Sequence, residues 1–115
     1  MKKTFYYFTI IFIMAGAVTL MSSCNKDKDT TPPVITILGE NPQTVCVDTV
    51  AGHEYVDPGA TAYDDVDGDV SSSVVVTENT VNIAVEGQYS VKYRANDKSG
   101  NFIEAQRVVN VIYCK

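Results

Sequence analysis

The residues whose type and spacing best suit chemistry are four aspartates in the run Asp64-Asp65-Val66-Asp67-Gly68-Asp69. Carboxylate oxygens this closely spaced suit a hard cation such as calcium. Counting from Asp65, however, the twelfth position of a helix-loop-helix calcium loop falls on Val76, where such loops need a bidentate glutamate. That motif is therefore excluded. Two readings stay open: a calcium site of the sandwich-loop kind, with Asp64, Asp65, Asp67 and Asp69 as candidate ligands, or side chains that bond turn backbone. Asp97 joins the group only if strand order brings its turn to the same pole. The remaining polar residues point to no catalytic centre and no organic cofactor. His53 is the single histidine, without the partners a zinc site needs. No strained nucleophile turn accompanies it. Glu54, Glu78, Glu86 and Glu104 are scattered, with nothing to mark two of them as a glycosidase pair. Lys92 and Arg94 share the polar face of one expected strand, which reads as a solvated face rather than a nucleic-acid patch.

The N-terminus answers a different question. Lys2 and Lys3 precede an apolar stretch from Phe5 to Leu20, and Met21-Ser22-Ser23-Cys24 follows. The stretch is shorter than the ~20 apolar residues of a spanning helix, and Thr9, Gly16 and Thr19 interrupt it. A charged start, a short apolar run and small residues before a cysteine resemble a bacterial lipoprotein signal peptide. The resemblance implies that residues 1–23 are removed and that Cys24 is acylated as the first mature residue. An uncleaved anchor and an ordinary secretory signal are the alternatives. Lipoproteins carry two or three chains on that cysteine, and more than one chain makes attachment stable. The expected location is the cell envelope, at the outer membrane, with the choice between cell surface and periplasmic face open. The mature chain would carry 7 basic against 14 acidic residues, a net charge of −7. Such a surface disfavours nucleic acid as a partner.

Residues 24–32 read as a tether. Asn25 to Thr31 is polar and charged, and Pro32-Pro33 stiffens its end. From Pro33 to the C-terminus the pattern is all-β: short apolar runs separated by turn clusters, with no helical period. Strands are expected at 34–38, 44–48, 60–63, 73–77, 81–85, 88–96 and 102–113. In the clearest of them, Tyr89, Val91, Tyr93 and Ala95 alternate with Ser90, Lys92, Arg94 and Asn96. That is the apolar-in, polar-out pattern of a half-buried strand. In the last, Val109, Val111 and Tyr113 share a face, and Val108, Ile112 and Cys114 share the other. Asp57-Pro58-Gly59 and Asp97-Lys98-Ser99-Gly100-Asn101 supply turn chemistry. About seven short strands at this length fit an antiparallel immunoglobulin-like sandwich.

Five segments in order carry a family resemblance. They are Pro33-Val34-Ile35-Thr36, Asp57-Pro58-Gly59-Ala60-Thr61-Ala62, Asp64 to Asp69, Glu86-Gly87-Gln88-Tyr89-Ser90-Val91-Lys92-Tyr93, and Asp97 to Asn101. Together they resemble the bacterial surface immunoglobulin-like domains of Bacteroidetes lipoproteins, which also occur as accessory modules of pesticidal crystal proteins, and they are similar to hyalin repeats. The resemblance covers Pro33 to Tyr113. It implies a fold but no shared activity. Beside the last strand of such sandwiches commonly runs an early edge segment. Cys46 and Cys114 would then point to one side of one sheet, and an even pair in an exported chain suggests a disulfide.

The expected function is a lipid-anchored, non-enzymatic module that binds an unidentified protein or glycan. The alternative is a structural spacer or accessory subunit of a larger envelope complex. A glycan platform usually leans on exposed aromatics, tryptophan above all, and the chain has none of the latter. Tyr89 and Tyr93 read as core, Tyr89 as a tyrosine corner. Tyr55, Tyr63 and Phe102 lie near loops.

Overall fold

The alternation at 88–96 becomes the centre of the protein. In the computed structural model, which describes residues 27–115, seven strands form two sheets of a sandwich. Cys24 and the expected signal segment lie outside the described residues. One sheet has the order β1 (Val34–Ile37), β3 (Ala60–Asp64), β4 (Gly68–Asp69). The other has the order β2 (Gln43–Cys46), β7 (Phe102–Ile112), β6 (Gly87–Asn96), β5 (Val75–Asn79). The pairings are antiparallel except one: β2 runs parallel to β7. This happens because the chain leaves the first sheet after β1 and joins the second without reversing direction. The side chain of Asn41 eases the crossing. It donates to the Gln106 carbonyl at 3.1 Å and accepts from the Val108 N–H at 2.9 Å, so it satisfies the edge of β7 that β2 reaches only from Val109 onward.

β6 and β7 pair along their whole length, Gly87 with Val111 through Asn96 with Phe102. Their inner faces carry most of the apolar core: Val91, Tyr93, Ala95, Val109 and Val111, with Ala62 and Val70 from the other side. Most of these side chains are small. A domain of this size buries only ~60% of its unfolded surface, so such a core by itself is marginal. Tyr89 sits half-buried at the start of β6 and donates to the Val85 carbonyl at 2.9 Å, the tyrosine-corner contact. Tyr113 departs from the expected face. β7 ends at Ile112, and Tyr113 is exposed.

Two expected strands change. Residues 81–85 form turns. Asn79 accepts from the Val81 N–H and Asn82 from the Ala84 N–H, both at 3.0 Å. These local side-chain bonds outcompete the ladder that the Val81, Ile83, Val85 alternation suggests. The strand expected at 73–77 begins at Val75, because Ser71–Ser73 form a single 3-10 turn. There Ser73 donates to the Val70 carbonyl at 2.7 Å, and Ser71 accepts from the Ala62 N–H at 3.0 Å. β5 is an edge strand, exposed throughout. A register shift between Val76 and Glu78 makes the strand a poorer template for further pairing.

Periodicity alone conceals one core residue. Arg107 shares the inner face of β7 with Val109 and Val111 and has no exposed surface. Its Nε donates to Asp57 Oδ1 at 2.9 Å and to the Tyr93 hydroxyl at 3.2 Å. Its Nη1 donates to the Glu40 carbonyl, and its Nη2 to the carbonyls of Leu38 and Gly59. The Tyr93 hydroxyl donates to Asp57 at 2.6 Å. Burial, then the Asp57 carboxylate, pushes the Tyr93 pKa up to about 12. Burial pulls the Arg107 pKa down, but Tyr93 and Asp57 outweigh it and raise it overall. Asp57 also accepts from the Gly59 N–H at 3.1 Å, in a turn where Gly59 takes a φ of 88°. A side chain there would be strained. One guanidinium thus ties the end of β1, the start of β3 and the 48–59 loop to the central strand pair.

Cys46 and Cys114 are disulfide-bonded, with Cα atoms 5.4 Å apart and a sequence separation of 68. The bridge joins β2 to the segment after β7 and lies on the exposed side of the sheet.

Two outcomes follow for stability. Arg107→Leu leaves the largely buried Asp57 carboxylate without its cation and the Leu38 and Glu40 carbonyls without the guanidinium donors, and should cost ~3–5 kcal/mol in urea unfolding. Arg107→Lys should recover little of it, because an ammonium lacks the planar fork. Reducing the disulfide, or making Cys46→Ser with Cys114→Ser, should lower unfolding stability by up to ~4 kcal/mol through the closed loop. Denaturation with and without dithiothreitol measures this, and an unchanged midpoint would contradict it.

Candidate metal centre

The end of β3 turns sharply into β4, and the turn is built by its own aspartate. Asp64 Oδ2 accepts from the Val66 N–H at 3.0 Å and from the Asp67 N–H at 2.9 Å. Gly68 then takes a φ of 77°, which returns the chain antiparallel as β4. The β6–β7 turn lies beside it. Asp97 Oδ1 accepts from the Asn101 N–H at 2.8 Å, and Asp97 Oδ2 accepts from Asn101 Nδ2 at 2.7 Å. Asp67 Oδ2 links the two turns by accepting from the Lys98 N–H at 2.7 Å. Strand order therefore does bring Asp97 to the pole of Asp64 and Asp67.

A fourth carboxylate arrives from the segment before β1. Asp29 lies in the stretch expected to be a free tether, yet it is docked here. Its carbonyl accepts from Asn101 Nδ2 at 3.1 Å, and its Oδ1 accepts from the Thr31 N–H at 3.0 Å. Asp29, Asp64, Asp67 and Asp97 each offer one oxygen, and these atoms all lie within 4.8 Å of one another. Asp65 and Asp69, expected as ligands with Asp64 and Asp67, do not join. Asp65 is exposed on the outer side of the turn, and Asp69 Oδ1 is engaged by the Ser71 N–H at 2.9 Å. Hydrogen bonds from Ser71 hold the Asp69 carboxyl below its usual range.

The electrostatics of the pole are lopsided. Among the described residues, no lysine, arginine or histidine forms an ion pair with any of the four carboxylates. Asp64 is fully buried and Asp97 nearly so. The Thr31 N–H pulls the Asp29 pKa down, but desolvation and the charges of Asp64 and Asp97 push it above the usual carboxylate value. Burial pushes Asp97 up as well, and hydrogen bonds with Asn101, Asp29 and Ser99 together more than reverse it. Two buried side-chain oxygens lack a donor among the described residues, Asp29 Oδ2 and Asp64 Oδ1, and both belong to this cluster. The donor set is all oxygen, without nitrogen or sulfur, which suits calcium and not zinc. Nothing in the sequence marks Asp29, since its neighbours read as linker and only the folded chain brings it to this pole.

Other polar groups sit elsewhere. His53 Nδ1 and Asp48 Oδ2 pair at 2.7 Å on the rim of an open depression of about 510 Å³ between the 48–55 and 79–84 segments. The His53 bond pulls the Asp48 pKa down. Tyr63 is exposed beside Val34, its cross-strand partner. Phe102 is half exposed beneath the Arg94 guanidinium, 3.8 Å from ring centroid to Cζ. Tyr55 instead donates to Gln43 Oε1 at 2.6 Å and is partly buried.

The fold has counterparts among solved structures. The fold is similar to that of a lipoprotein from Bacteroides thetaiotaomicron, at 21% identity and a TM-score of 0.54, over 72% of this chain and 39% of that one. It is also similar to a Clostridium perfringens ZmpB structure described as CBM51-2 in complex with GlcNAc and INT domains. That match has 30% identity and a TM-score of 0.54, over 71% of this chain and 17% of the other. A second ZmpB structure, of the M60 catalytic domain with CBM51-1 and CBM51-2, matches at 30% identity and a TM-score of 0.53, over 70% of this chain and 8% of that one. The chain thus spans well under half the length of each of these relatives. No curated protein matches the sequence. The profile of the family described as bacterial surface protein, Ig-like domain, matches residues 35–111, from the second residue of β1 to the penultimate residue of β7. The chain belongs to this family of bacterial surface immunoglobulin-like domains.

Proposed function

We propose that this protein is a lipid-anchored module of the bacterial cell envelope, held by Cys24 at the outer membrane, with a non-catalytic role in binding or interaction. The observation that carries the reading is membership of a surface immunoglobulin-like family across the whole sandwich. The charged start, short apolar run and Ser22-Ser23-Cys24 ending of the N-terminus support the anchor. Two or more acyl chains would make attachment stable where one would not. Ligands of two classes fit, protein and glycan. For the glycan class, Tyr63, Phe102 and Tyr113 are exposed aromatics, and a structural relative contains a carbohydrate-binding module in complex with GlcNAc.

A second reading is a spacer or accessory unit within a larger envelope complex. It is favoured by the ZmpB likeness, in which a unit of this size is a small share of a multidomain chain.

Fractionation tests the anchor: Cys24→Ala should move the protein from the membrane to the soluble fraction, and a variant that stays with membranes overturns the reading. A screen of residues 25–115 against glycans, surface proteins and envelope extracts tests the role. Saturable binding to one class supports recognition. A clean negative from a folded domain transfers the weight to the spacer.

A further inference from the structure

We propose that Asp29, Asp64, Asp67 and Asp97 form a calcium site, and that the bound ion clamps the segment preceding β1 onto the pole of the domain. An acidic cluster alone would not carry this. The second observation is Asp64. It has no exposed surface, its Oδ2 is spent on two backbone N–H groups, and its Oδ1 is buried with no donor among the described residues. A buried carboxylate oxygen without a partner is costly. Asp29 Oδ2, in the same cluster, is a second such oxygen. One oxygen from each of the four carboxylates lies within 4.8 Å of the others, and a divalent cation held among them would offset their mutual repulsion and the cost of burying groups that lack a donor.

Calcium fits better than its competitors. The ligands are hard oxygens on two turns and an extended segment, an irregular frame that calcium's flexible coordination accepts. Magnesium demands a near-ideal octahedron and gives up its water reluctantly. The frame is set before the ion arrives, because each turn is already closed by its own hydrogen bonds. Asp29 is the exception. It is the one ligand from outside the strands and their turns, and its remaining hold on the pole is a single bond from Asn101. The ion therefore acts chiefly on this residue, five positions after Cys24. If the chain is lipid-anchored as proposed above, calcium would shorten the free tether and fix the angle of the domain to the membrane.

The test uses the full chain, purified in mild detergent and stripped with a chelator. Titration calorimetry with calcium chloride should give saturable binding near one ion per chain, and the melting temperature should rise with calcium. Magnesium at equal concentration should do much less. Asp64→Asn, which keeps the turn acceptor, and Asp29→Asn, which lies outside every strand, should each weaken calcium binding by about tenfold or more. Asp65→Asn and Asp69→Asn should leave it unchanged. Calcium should also slow tryptic cleavage after Lys28 in the native chain but not in Asp29→Asn. Absence of calcium binding at millimolar concentration overturns the site, as does full binding by Asp64→Asn. Binding without protection at Lys28 overturns the clamp. Since none of these readouts depends on lipid at Cys24, failure of the site and failure of the anchor are told apart.

Discussion

A single buried guanidinium holds the two sheets in register. Arg107 occupies a core position on the central strand pair, where an apolar residue would match its neighbours. Its donors reach Asp57, Tyr93 and the carbonyls of Leu38, Glu40 and Gly59. A planar fork can satisfy several fixed acceptors at once, as an ammonium cannot. Apart from Tyr93, the acceptors lie in the segments after β1 and before β3, and the guanidinium draws both onto the central strand pair. The core around Arg107 is small, so this network and the Cys46–Cys114 bridge supply cohesion that area burial does not.

The two ends of β3 have opposite electrostatic character. Near Ala60, a buried cation gathers carbonyls and one carboxylate. At Asp64, buried and half-buried carboxylates gather with no cation among the described residues. The first end is internally balanced and therefore structural. The second gathers buried carboxylates that no side-chain cation among the described residues pairs, and such groups are candidates for a functional site. The broad open depression at His53 lacks this property, because both members of its pair face water.

Much of the fold was legible from local pattern. The period-two alternation of Tyr89, Val91, Tyr93 and Ala95 places those residues inward as expected, and the Asp57-Pro58-Gly59 and Asp97–Asn101 turns stand where their chemistry puts them. The pattern failed where side chains bond their own backbone. Asn79 and Asn82 turn the 81–85 segment away from a strand, and the serines at 71–73 delay β5. It also failed at Arg107. A charged residue on an inward position reads as a break in the apolar face until its partners are known.

Local pattern therefore reaches the all-β class, the main strands and turns, and an acidic turn able to offer oxygen ligands. These are properties of neighbours, and periodicity and turn chemistry act over a few residues. The tertiary structure decided the rest. Arg107 meets Asp57 and Leu38 across 50 and 69 positions, and Asp29 reaches Asn101 across 72. No local preference encodes such meetings. They arise because β1 and β2 belong to different sheets and because the β3–β4 and β6–β7 turns emerge at one pole. The membership of the acidic cluster, with Asp29 and Asp97 in and Asp65 and Asp69 out, is a consequence of that topology and of which way each carboxylate faces once its turn has closed.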